Sequence, residues 1–183
     1  FIFQNLEKFY PDNKDIQFCL GNIYYELNDL NKSLIYFEKS YENLPDSEII
    51  INNYAITLQS LGKIEKAKNF FKKLLSKNPN NIKAYYRLFR MDDIDFNKNY
   101  LNKIRCLENN TSVSLEDKSL INYIFSKIEK NNNNIPKEID FLDKAHQLIY
   151  KSKEKYNLIL IKYYLEILSK NFNEIQIKKK QFF

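Results

Sequence analysis

Pro11, Pro45 and Pro79 stand 34 residues apart, and Phe3, Phe37 and Phe71 keep the same interval at another phase. Leu27 and Leu61, Lys32 and Lys66, and Lys39 and Lys73 repeat it. A recurrence of this length, with helical texture between the prolines, constrains the chain to stacked helix–turn–helix units. Proline closes each unit because it cannot continue a helix. Where the two helices of a unit approach closely the side chains are small, Gly21 and Ser33 in one unit and Ala55 and Ala67 in the next. Phe37 and Phe71 fill the space beyond them. Asn28 and Gly62 share the turn phase at which a left-handed backbone is wanted.

Counted from Lys14, positions 7, 8, 11, 20, 24, 27 and 32 are Leu20, Gly21, Tyr24, Ser33, Phe37, Ser40 and Pro45. In the next unit they are Tyr54, Ala55, Leu58, Ala67, Phe71, Leu74 and Pro79. These residues resemble the tetratricopeptide repeat family. The resemblance implies an all-α fold, a right-handed superhelix of antiparallel helix pairs whose concave face is built from the first helix of each pair.

The expected organisation is one α-solenoid domain over residues 1–183. It begins with a half repeat at 1–13, with Phe3 and Leu6 at positions 24 and 27, then repeats at 14–47 and 48–81. A degenerate repeat follows at 82–115, where Phe89 puts a large ring at position 8. Helices are expected near Asn81–Met91 and Lys98–Leu107, with Tyr100, Leu101, Ile104 and Leu107 on one face. Ser114 with Asp117 reads as a helix cap, and Pro136 suits the first turn of a later helix. Degenerate helices complete 116–172, the last an apolar one from about Tyr156 to Lys170. Residues 173–183 read as a linker toward a further domain, and the abrupt start predicts an excised piece.

Composition narrows the function. At 44% hydrophobic and 28% charged residues the chain can bury a core, while Gly 2 and Pro 4 exclude a turn-rich β fold. No apolar run reaches transmembrane length and no signal peptide opens the chain, which points away from a membrane. Cys19 and Cys106 lack metal-ligand spacing and are expected to be buried free thiols in a reducing cytoplasm. The net charge of +6 comes from scattered lysines and the run Lys178-Lys179-Lys180. No readout motif accompanies it, which argues against nucleic acid.

No catalytic constellation stands out, and no cofactor or metal site is expected in this chain. His146 is the single histidine, so His-paired metal or triad chemistry is excluded. The expected function is protein or peptide binding in the concave groove. The candidates are Phe18, Asn22, Tyr25, Asn52, Asn53, Ile56, Lys83, Tyr86, Arg87 and Arg90. Among them Asn22, Asn53, Lys83 and Arg87 are similar, in type and spacing, to four of the five residues of the carboxylate clamp of tetratricopeptide co-chaperones. That resemblance implies an acidic C-terminus as ligand. The fifth residue, a lysine in that family, falls at Phe18.

A second resemblance runs from about Glu48 to Phe183. Lys83-Ala84-Tyr85-Tyr86-Arg87-Leu88, Ser114-Leu115-Glu116-Asp117-Lys118, Phe125-Ser126-Lys127, Lys144-Ala145-His146 and Asn171-Phe172 follow the order found in the repeat region of bacterial tetratricopeptide-repeat sulfotransferases. Phe182 and Phe183 fall where that family's first catalytic strand would begin. The resemblance implies a non-catalytic front region that aids acceptor binding or oligomerisation. The donor PAPS would be bound by a catalytic domain of the same chain beyond Phe183. A free-standing adaptor is the alternative.

Overall fold

The computed structural model describes residues 13–91 and 98–153, with positions 5, 8, 9 and 162, and is helical wherever regular structure occurs there. The half repeat at the start lies almost wholly outside the described residues. So do the helix expected from Tyr156 to Lys170 and the basic end of the chain. Two compact units are present, Phe1–Asn110 and Thr111–Phe183.

In the first unit α1 spans Lys14–Glu26 and α2 Leu30–Asn43. Asn13 caps α1, its side-chain oxygen accepting from the backbone N–H of Asp15 at 3.0 Å and of Ile16 at 3.1 Å. The next pair, α3 (Glu48–Ser60) and α4 (Ile64–Lys77), repeats the arrangement. Asn28 (φ 59°) and Gly62 (φ 72°) make the left-handed turns within the pairs. Asn and Gly are the residues for which that conformation costs least.

Small residues let the paired helices meet. A Cβ on Gly21 would stand 2.8 Å from two carbons of the Phe37 ring. Ser33 also ties the helices, its hydroxyl donating to the Gly21 carbonyl at 2.9 Å. Ala55 and Ala67 are fully buried at the matching positions, as are Phe37 and Phe71. Burying an aromatic side chain of this size contributes about 1.5–3 kcal/mol.

Successive pairs are joined as well, through a smaller contact than that within a pair. Each helix from α1 to α4 packs on the next, α4 packs on the helix that follows it, and α1 also touches α3. The Lys73 ammonium donates to the Tyr41 hydroxyl at 2.7 Å and to the Pro45 carbonyl at 3.0 Å. The third pair is less regular. Its helices are α5 (Ile82–Met91) and α6 (Lys98–Glu108). Phe89 is buried in spite of its size at a small-residue position, and Ile104 and Leu107 form the buried side of α6. Tyr85 and Tyr100 meet edge to face at 5.3 Å.

The second unit holds α7 (Leu115–Asn131) and α8 (Ile135–Ser152). Ser114 caps α7, accepting from the Asp117 N–H at 3.1 Å and donating to the Asp117 carboxylate at 2.9 Å. Asn133 turns the chain at φ 56°, and Pro136 lies in the first turn of α8. The two helices join through the Ser119 hydroxyl, which donates to the Ala145 carbonyl at 2.9 Å, and through Phe125 against Phe141. Asn122 is buried and donates to the Lys118 carbonyl, yet its side-chain oxygen has no partner among the described residues.

One expectation is overturned. Cys19 and Cys106 are exposed, not buried. The inward stripe of α1 runs through Gln17, Leu20, Gly21 and Tyr24, and helical geometry turns Cys19 away from it. On α6 the stripe runs through Ile104 and Leu107, between which Cys106 points outward. No helix among the described residues is long and apolar enough to cross a membrane.

Candidate functional site

The first helices of the three pairs, α1, α3 and α5, are linked side to side by polar side chains on one face. Asn53 Nδ2 donates to Asn22 Oδ1 at 2.8 Å, and Asn52 Nδ2 donates to Asn53 Oδ1 at 3.1 Å. The Tyr25 hydroxyl lies 3.3 Å from the Ser60 hydroxyl, a second link between α1 and α3. Between α3 and α5, Arg87 donates to Gln59 Oε1 at 3.2 Å. The links recur because residues three, four and seven apart share a helix face, as Asn52, Ile56 and Gln59 do.

A pocket of about 150 Å³ opens on this face, lined by Asn22, Tyr25, Glu26, Phe37, Asn53 and Ile56. The Phe18 ring is tilted against Phe37 at a centroid distance of 5.9 Å. On α5 the guanidinium of Arg87 lies 6.0 Å from the centre of the Phe71 ring, and that of Arg90 lies 5.8 Å from the Tyr86 ring. Burial pulls the Arg87 guanidinium below its ordinary value, the charge of Arg90 adds to this, and Tyr25 and Tyr86 oppose it. Lys83 and Arg90 are exposed. None of these three cations makes an ion pair among the described residues, and α5 carries no acidic residue.

The structure therefore gathers Asn22, Tyr25, Asn53 and Ile56 around one pocket, with Asn52 bonded to its rim and Phe18 beside its floor. Arg87 joins them through Gln59, and Lys83, Tyr86 and Arg90 share its helix. The Asn22 and Asn53 carboxamides bond to each other. Glu26, Gln59 and Ser60 belong to the same face and are not among the groove residues singled out by sequence, and Phe37, read there as a core residue of α2, lines the pocket. The spacing of Gln59 from Ile56 and Asn52 is the signal that could have found it.

Across the first two pairs the match to a known family is direct. Residues 15–81 fit the family described as YpiA-like, C-terminal tetratricopeptide repeats. These two pairs thus match a tetratricopeptide-repeat model. Solved structures of the same fold include "Crystal structure of MamA", with a TM-score of 0.61 and 13% identity over 83% of this chain and 87% of that one. The structure described as MamA MSR-1 C2 gives 0.54 and 16% identity over 76% and 79%. TTC0263, a thermophilic TPR protein of Thermus thermophilus, gives 0.53 and 16% over 74% of each chain. These likenesses are of fold. No curated protein matches the chain in sequence. The all-α repeat architecture expected from the 34-residue interval is thus the architecture of the described residues.

Proposed function

We propose that the chain is a protein-interaction module whose first-helix face holds an extended peptide across α1, α3 and α5. The observation that carries this is the bond between Asn53 and Asn22. A carboxamide offers one acceptor and two N–H donors, the complement of a peptide unit. Asn22 spends only its oxygen on Asn53, so among the described residues both its N–H groups are available to a peptide carbonyl. Asn22, Tyr25, Asn52, Asn53 and Ile56 would contact the peptide first, with Lys83, Tyr86, Arg87 and Arg90 along its continuation. Aromatic and arginine side chains of this kind are common anchors of binding surfaces.

The test is a peptide array probed with the protein, followed by titration of the bound sequences. Asn22→Ala and Asn53→Ala should each weaken binding by about tenfold, the worth of one or two hydrogen bonds at about 1.4 kcal/mol per decade. Unchanged affinity in both variants would refute the reading.

A second reading makes the chain the non-catalytic front of a PAPS-dependent sulfotransferase. Its support is the ordered set of short motifs from Lys83-Ala84-Tyr85-Tyr86-Arg87-Leu88 onward. Asn171-Phe172 and Phe182-Phe183 in that set lie outside the described residues. Under this reading the face would bind the acceptor or the chain's own catalytic domain. Calorimetric titration of the natural full-length protein with PAPS decides it, and no heat of binding would remove it.

A further inference from the structure

The groove's chemistry specifies its peptide more narrowly, given the peptide-binding reading above. The pocket beside Asn22 has the size, about 150 Å³, at which an apolar cavity takes a benzene-sized group. Phe37 and Ile56 are its apolar lining beside Asn22, Tyr25, Glu26 and Asn53, a mixture that suits one leucine, isoleucine or phenylalanine side chain. One helical turn further, Gln59 holds Arg87, and Lys83 and Arg90 stand exposed on the same helix with no ion-pair partner among the described residues. The opposite end of the site differs. On α1, Phe18 presents a ring packed on Phe37 and Glu26 lines the pocket, and neither offers a carboxylate a positive partner.

We propose that the groove takes a peptide carrying one large apolar side chain in the Phe37–Ile56 pocket and one carboxylate on the Lys83–Arg87–Arg90 row, in place of a paired-carboxylate tail. The pocket lies between α1 and α3 and the basic row on α5, one packed helix over at an interaxial distance of about 8–10 Å. In an extended chain rising about 3.3 Å per residue, the two groups therefore stand about three residues apart. A lone acidic tail binds weakly, because it leaves the pocket empty. A purely apolar segment binds weakly, because it brings no carboxylate to the Lys83–Arg87–Arg90 row.

The experiment uses fluorescein-labelled, C-amidated nonapeptides of glycine and serine with a central leucine and an aspartate two, three or four residues to either side. Binding is read by fluorescence polarisation on the whole chain. Leu→Ala in the best peptide should weaken binding roughly tenfold. Asp→Asn should weaken it roughly fivefold, a loss that shrinks as salt is raised. Ile56→Trp, which fills the pocket, should erase the leucine preference and keep the aspartate preference. Lys83→Glu with Arg90→Glu should do the reverse. Circular dichroism confirms that each variant folds, and Ile56→Gln serves if the tryptophan variant does not. A peptide that binds equally with leucine or alanine, or with aspartate or asparagine, overturns this proposal and leaves groove binding intact. Absence of binding by every peptide overturns both.

Discussion

The ring of Phe37 lies so close over Gly21 that a methyl group at residue 21 would stand 2.8 Å from two ring carbons. Alanine is favoured over glycine in a helix by about 1 kcal/mol. Forcing a methyl into a filled core costs about 1–3 kcal/mol. Phe37 is only 1% exposed and cannot swing out. Gly21→Ala should therefore destabilise the protein by about 1 kcal/mol in urea unfolding. Phe37→Leu added to it should recover part of the loss, so that the two changes are not additive. A more stable Gly21→Ala protein would contradict this contact.

The Tyr54 hydroxyl is buried and donates to Glu38 at 3.3 Å. Burial first, then the Glu38 charge, pushes its pKa up from 10.0 to about 12. The unfolded chain therefore gives up this proton before the folded one does. The resulting stability is fully present below pH 10 and is lost as pH rises toward 12. Melting temperature, followed by circular dichroism, should fall across that window. Tyr54→Phe should show a shallower fall, and an equally steep one would assign the effect elsewhere.

Ser114 serves Asp117 twice, as acceptor and as donor. Ser114→Ala should cost about 1 kcal/mol, the usual value of such a cap. Ser114→Asp, which keeps an acceptor but faces the Asp117 charge, should recover less than Ser114→Thr. Thermal unfolding of the three variants orders them, and identical midpoints would mean that the cap contributes nothing.

Asn122 keeps a buried oxygen without a donor among the described residues. A buried oxygen without a partner costs about 1–3 kcal/mol, more than the roughly 0.5–1.5 kcal/mol that the bond to Lys118 returns. Asn122→Leu should raise stability by roughly 0.5–1.5 kcal/mol, whereas Asn122→Asp should lower it. A loss with leucine would point to a partner that this oxygen holds in solution.

Much of the fold is legible because it is written in residue size. Gly21, Ser33, Ala55 and Ala67 mark close contacts, Phe37 and Phe71 fill what lies behind them, and Asn28 and Gly62 mark the turns. Size is a local property, so one sequence displays it. The cysteines mislead because the average burial of their residue type says nothing of their phase on α1 and α6. Phe89 looks like a break in the pattern, yet it is buried like the small residues at its position in the earlier repeats. In the site, residue types are readable but partnerships are not. That Asn22 bonds Asn53, and that Arg87 finds Gln59, depends on the spacing of neighbouring helices, which no short motif encodes.

Lys73 reaches back from the second repeat to hold the carbonyl of Pro45, the residue that closes the first. One interval later stands Leu107, which has nothing to donate, and the carbonyl of Pro79 is met by the Tyr85 hydroxyl from the helix just after it. The finish of the first repeat is thus secured by its successor. Damage in such an array has a direction of travel: a lesion at the end of the second repeat loosens the join before it.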